Sequence, residues 1–295
     1  MLKGARNLLG RNKAVMQKSL YISDLDGTLL RSDKELSSYT KYTLNKLISN
    51  GIHFSVATAR SSATAIKILE GLDINVPVVL MNGVVIYDLA QMKYVKFEVI
   101  SARTARYIIT VLKKHDITGF MYTISDNEQI TYYENLCTDV MKEHYDERVT
   151  KYNKPYYKVE SFMEKAYDDN IIYFSFMDIY ERLYRVQSEL KDYEEIDSVL
   201  YRDVYNENIW FLEIHSKKAS KYNAVKYLRE SLGYDTIIGF GDNLNDIPLF
   251  EACDECYAVS NAVAQLKEKA NGIIDDNNSD GVAKYIFRRE SVSDL

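Results

Sequence analysis

Apolar residues recur along this chain in two rhythms, and the places where one gives way to the other divide it. Ser19–Ile22, Ile52–Ala57 and Val78–Met81 are short, apolar, β-prone runs. Between them, Ser37–Asn50 carries Leu44, Leu47 and Ile48 at helical spacing, and Ser61–Leu69 forms a second helical stretch. Ser61 stands where the second helix should be capped, and Gly51 and Gly71 stand where the two helices should stop. Asn82-Gly83 then predicts a small hairpin through Tyr87. Strand, helix, strand, helix, strand in this order predicts a parallel sheet with helices on its faces, hence an α/β fold.

The texture changes after Asp88. Helical stretches (Ala102–His115, Glu134–Glu147, Tyr180–Leu190) mix with alternating, aromatic-rich runs at Thr118–Ile124, Gln129–Tyr133, Ile171–Met177, Ser198–Tyr205 and Ile209–Ile214. Helices among antiparallel hairpins predict an α+β unit inserted into the first fold. The parallel pattern resumes with a helix over Lys221–Leu232 ended by Gly233, a strand over Thr236–Phe240, and further short elements at Cys256–Val259 and Asn271–Asp275. The expected organisation is an N-terminal extension (1–18), a discontinuous parallel-sheet core (19–87 and 217–290) and an inserted domain (88–216).

Composition narrows the function classes. The chain has 295 residues, 46% hydrophobic and 27% charged, ordinary values for a globular protein with a substantial core. A formal net charge of −6 argues against a nucleic-acid-binding surface, although local cations or a metal still admit phosphorylated ligands. No apolar run approaches a membrane span, so neither nucleic acid nor membrane is an expected partner. Three cysteines are too few for a disulfide framework and suit a reducing, cytoplasmic setting. The CxxC spacing of Cys253 and Cys256 lacks both a redox context and a second zinc-ligand pair. Residues 1–18 are basic and mildly amphipathic without the apolar stretch of a secretory signal, and Met16 offers an alternative start.

The chemistry sits at strand ends. Asp24-Leu25-Asp26-Gly27-Thr28 closes the first strand, and two carboxylates one residue apart on a buried strand repel each other. Such a pair persists when a cation is bound or one carboxylate is a reagent; the alternative is a plain surface turn. A second cluster, Gly241-Asp242-Asn243-Leu244-Asn245-Asp246, again follows an apolar strand and opens a helix. Two acidic clusters at the carboxyl ends of parallel strands converge on one hard cation with oxygen ligands, and Mg2+ suits few carboxylates best.

DLDGT, Thr58 in VATAR, a lysine near position 221 and GDNLND together resemble, in order and spacing, the haloacid dehalogenase superfamily of phosphatases. The insertion between the second and third motifs resembles the Cof-type branch, and the likeness spans Ser19 to Phe287. It implies a Rossmann-like parallel-sheet core with an inserted α+β cap domain. It further implies a Mg2+-dependent phosphatase acting on a small phosphomonoester, a sugar phosphate or phosphorylated cofactor, through an aspartyl-phosphate. By position, Asp24 would be the nucleophile and Asp26 the general acid/base. Leu25, Thr58, Lys221 and Asn245 would hold the phosphoryl group. The metal would bind the Asp24 carboxylate, the Asp26 backbone carbonyl and Asp242, supported by Asp246.

Two departures from the family pattern stand out. Tyr222 follows Lys221 where glycine is usual, which leaves Lys218 as the second choice of lysine, and Ala59 follows Thr58 where glycine is frequent. Arg60 reads as a phosphate or substrate contact or as a surface charge, and Asn82-Gly83 as a substrate contact or as a turn. A phosphoryl transferase or mutase of the same superfamily, and an idle binding protein on the same fold, are the competing functions. Oligomeric state is not readable.

Overall fold

The computed structural model describes residues 17–167, 170–203 and 206–293; residues 1–16, most of the expected extension, lie outside it. Five parallel strands build the main sheet: β1 (Ser19–Ser23), β2 (His53–Val56), β12 (Thr236–Gly241), β13 (Glu255–Val259) and β14 (Gly272–Ile274), in the order β14-β13-β12-β1-β2. β1 lies centrally, so Leu20, Tyr21 and Ile22 are buried on both faces, and this explains a run that is continuously apolar rather than alternating. Helices α1 (Ser38–Ser49), α2 (Ser62–Ile68), α6 (Lys221–Leu232), α7 (Ile247–Ala252), α8 (Ala264–Lys267) and α9 (Gly281–Ser293) accompany it, with α1 against α9 and α6 against α7. Ser61 is the N-cap of α2 by position, but its hydroxyl bonds side chains rather than the helix backbone.

β3 (Val78–Leu80), β4 (Val85–Asp88) and β5 (Lys93–Phe97) form an antiparallel three-stranded sheet, and a single parallel bridge from Ala57 to Val79 joins it to the end of β2. This sheet carries the core past Asp88, because Lys93–Phe97 pairs back onto β4.

The inserted unit has a six-stranded sheet in the order β10-β11-β9-β6-β7-β8, made of β6 (Gly119–Ser125), β7 (Glu128–Tyr133), β8 (Tyr156–Lys158), β9 (Ile171–Asp178), β10 (Ile196–Arg202) and β11 (Trp210–Ser216). All its pairings are antiparallel except β7 with β8. Helices α3 (Ala102–Lys114) and α5 (Tyr180–Leu190) cover one face, where Ile108, Leu112, Phe174, Phe176, Leu183 and Val186 make a separate apolar cluster. From the opposite face Phe120, Tyr122, Tyr173 and Met177 join the main core. Helix α4 (Asp139–Tyr152) begins later than the expected Glu134, at the Thr138 cap, because Glu134 instead accepts the Phe162 backbone N–H. α4 packs against α2, so it links the inserted unit to the core. Among the described residues no helix is long and apolar enough to cross a membrane.

Candidate active site

Asp24 directly follows β1, Asp242 directly follows β12 and Thr58 lies two residues past β2, so three neighbouring parallel strands deliver these residues to one edge, where ligands of such sheets collect. The strand pairing carries on into the site: Asp24 N–H donates to Phe240 O at 2.9 Å, and Thr58 N–H to Val79 O at 2.9 Å.

Oxygen atoms from Asp24, Asp242 and Asp246 all lie within 4.8 Å of one another. The Lys221 ammonium sits among them, 2.7 Å from Asp24 Oδ1 and 2.6 Å from Asp246 Oδ1, with its side chain only 1% exposed. Burial, followed by repulsion from Asp246, holds the Asp24 carboxyl well above the usual range despite Lys221. Burial also pushes Asp242 up to about 6, against the hydrogen bond it accepts from Thr28 Oγ1 at 2.9 Å. For Lys221 burial lowers the pKa, but the two carboxylates outweigh it and the net shift is upward.

These donors fit a hard divalent cation. They are all oxygen, they are crowded, and two of them resist ionising together while a single ammonium is the counter-charge. Asp246 has a second task. Its Oδ2 accepts the backbone N–H groups of Asp242 (3.0 Å) and Asn243 (3.1 Å), so it fixes the loop that presents Asp242.

Asp26 stands apart from the three. Its carboxylate is exposed and takes a two-point hydrogen bond from Arg60, at 2.7 Å from Nε and 2.5 Å from one terminal nitrogen. Of the Asp26 groups, only the backbone carbonyl is a candidate for the metal. The Leu25 side chain is fully buried and its carbonyl accepts from the turn that follows, so only its backbone N–H is a candidate for phosphate. Thr58 is buried at the strand end, while Asn245 is exposed with its amide 3.5 Å from Asn82 Oδ1. Lys218, the second choice of lysine, is exposed and is not among these contacts.

Two glycines make the geometry possible. Gly27 has φ +80°, and a Cβ there would lie 2.4 Å from Asp242 Oδ2. Gly83 has φ +100° and lets its turn press against the Ser220 carbonyl, at the start of the helix that carries Lys221. The turn preceding it is also left-handed at Met81 and Asn82, and Asn82 N–H donates to Thr58 O. Sequence reasoning missed Thr28 as the partner of Asp242, although it closes the DLDGT motif. It also left open whether Arg60 joins the site; the Asp26 pair joins it.

A family model described as haloacid dehalogenase-like hydrolase matches residues 21–286. The chain is 25% identical over 268 residues to the pyridoxal phosphate phosphatase YbhA of Escherichia coli, covering 90% of this chain and 96% of that protein. It is likewise 25% identical over 285 residues to the 5-amino-6-(5-phospho-D-ribitylamino)uracil phosphatase YwtE of Bacillus subtilis, covering 89% and 95%. The crystal structure of TM0651 from Thermotoga maritima shares the fold, with a TM-score of 0.74 at 23% identity over 92% of this chain and 97% of that one.

Proposed function

The chain belongs to the haloacid dehalogenase-like hydrolases, and from that premise we propose that it is a cytoplasmic, Mg2+-dependent phosphatase of a small phosphomonoester. A sugar phosphate or phosphorylated cofactor fits this reading, and the names of the two phosphatases above point the same way. The observation that carries the proposal is a nearly inaccessible Asp24 carboxylate held at a strand end by Lys221, beside two further acids.

In this mechanism Asp24 attacks phosphorus, the bond to the leaving oxygen breaks, and an aspartyl-phosphate forms on Asp24. Asp26 gives its proton to the leaving oxygen, then takes one from the water that attacks the aspartyl-phosphate. Since Arg60 grips Asp26 by two hydrogen bonds, that pair has to open before the carboxyl can carry a proton. Lys221, Thr58, the Leu25 backbone N–H and Asn245 hold the phosphoryl oxygens as their charge redistributes. Mg2+, held by Asp24, Asp242 and the Asp26 carbonyl with Asp246 behind them, would supply charge neutralisation for the phosphoryl group. Lys221 keeps Asp24 aligned in the meantime.

Phosphate release from a panel of phosphorylated metabolites with Mg2+ tests the reading. We expect release to disappear with EDTA and with Asp24→Asn. Undiminished turnover by the Asp24→Asn protein would sink the mechanism, and product isomerisation without free phosphate would point to a mutase.

A further inference from the structure

Where α4 meets the core, against Arg60, the partner of Asp26, lies a cavity of about 410 Å³. Its walls come from the loop at 33–36, from α1, α2 and the end of α4, so core and inserted unit both contribute. Five cations line it: Lys34, Lys41, Arg60, Lys67 and Lys151. Two carboxylates, Asp33 and Glu35, line it with them, in a chain whose formal net charge is −6. Cations therefore gather here against the overall sign of the molecule, and a concave site lined this way concentrates anions.

Arg60 is already paired with Asp26 and Lys151 faces Glu147, so the charge that meets neutral groups rests on Lys41 and Lys67. Lys41 Nζ donates to the Glu70 carbonyl (2.9 Å) and Lys67 Nζ to the Lys151 carbonyl (3.3 Å), both neutral acceptors. Lys151 reaches Glu147 only at 3.9 Å. On the same seam Lys154 Nζ lies 2.7 Å from Ser61 Oγ, one residue beyond Arg60, and makes no ion pair among the described residues. Arg60 is the residue that ties the cavity to the chemistry, since it lines the cavity and grips Asp26.

We propose that the substrate carries a second anionic group, a phosphate or carboxylate on the leaving portion, that seats in this cavity and draws Arg60 toward it. The proposal rests on the phosphatase reading and adds a substrate class to it. With the reacting phosphate at Asp24, the leaving oxygen faces Asp26 and the rest of the molecule extends past Arg60 into the cavity, whose volume suits a small metabolite. An anion that competes for Arg60 loosens its hold on Asp26, so the same group that anchors the substrate frees the proton carrier. Leaving groups without a second anion gain neither effect.

Matched pairs provide the test: fructose 6-phosphate against fructose 1,6-bisphosphate for a second phosphate, and glucose 6-phosphate against 6-phosphogluconate for a carboxylate. In one pair or both, kcat/KM is expected to favour the doubly anionic member by about tenfold, the equivalent of one desolvated ion pair. The double variant Lys67→Gln/Lys151→Gln, at two exposed positions, is expected to shrink that preference mainly through KM. The pair that responds identifies the anion. Turnover of both members at equal efficiency, or a preference the double variant leaves intact, overturns the proposal while the phosphatase reading stands. Absence of phosphate release from every ester overturns the phosphatase reading instead. Calorimetric binding of the same pairs to Asp24→Asn protein then decides the cavity by itself, tighter binding of the doubly anionic member supporting it and equal binding refuting it.

Discussion

The core and the inserted unit each place a lysine in a confined setting, and the two lysines live by opposite rules. Lys221, at the first turn of α6, is almost inaccessible and lies between Asp24 and Asp246. Its charge is matched twice over, and its pKa moves up despite burial. Lys154, just past the end of α4, meets the Ser61 hydroxyl and no carboxylate within ion-pair distance among the described residues, and burial, reinforced by Arg148, pushes its pKa down to about 7. Buried charges persist when paired and are costly when not. The core thus holds its lysine between two carboxylates, whereas Lys154 on the seam between core and insert makes no ion pair among the described residues. On the proposed reading, that difference separates the part of the molecule that does chemistry from the part that chooses what reaches it.

The largest expected effects fall on the paired side. Asp24→Asn keeps the shape of the site and removes the nucleophile, so kcat for any phosphomonoester should fall on the order of 10⁴-fold while the protein stays folded. Steady-state phosphate release alongside circular dichroism checks both halves. Next, Lys221→Met strands Asp24 and Asp246 as buried, unmatched acids, which should cost about 3–5 kcal/mol of stability. Denaturant unfolding without divalent cation measures it, and added Mg2+ should recover part of the loss if the same acids bind the ion. A small loss, below about 1 kcal/mol, would mean the two regions do not differ as described.

Gly27→Ala tests the packing of the paired side. The added Cβ would lie 2.4 Å from Asp242 Oδ2 in a left-handed backbone, so either the Asp24 loop or Asp242 has to move. A displacement near 1 Å at a reacting group costs roughly 10²-fold in rate. The check is kcat at saturating Mg2+, with a raised Mg2+ requirement showing that Asp242 is what moved.

Sequence alone revealed the two regions unequally, for physical reasons. DLDGT and GDNLND are contiguous, and each follows a strand buried enough to read as an unbroken apolar run, so both the parallel sheet and the acids at its edge were legible. The boundaries of α6 were readable because Ser220 caps it and Gly233 ends it in the left-handed conformation. In the insert, β8 is three residues long with two of them exposed, and α4 buries only Met141, so neither carries a usable period. The Asp26–Arg60 pair and the cationic cavity depend on how separate loops are brought together, which no local spacing encodes. Lys154 illustrates this limit well: an unremarkable lysine in the chain becomes a half-buried cation only once α4 packs on α2.

The smallest effect addresses Lys154 itself and is the most discriminating. Its pKa is lowered from 10.5 to about 7, so between those values the unfolded chain binds more protons than the folded one, and stability should rise with pH. Lys221 shifts the other way; its contribution is fully present below 10.5 and is lost only as pH climbs beyond that. A melting series from about pH 7 to 9 therefore reads Lys154 and leaves Lys221 silent. Lys154 is partly accessible, with Glu147 and Arg148 nearby, so screening should hold the gain to about 1 kcal/mol. Lys154→Met should raise stability at pH 7 by a similar amount and flatten the slope, because it removes a cation the unliganded seam does not match. A slope that survives this substitution would assign it to other groups, and a destabilised Lys154→Met protein would show that the seam is already balanced.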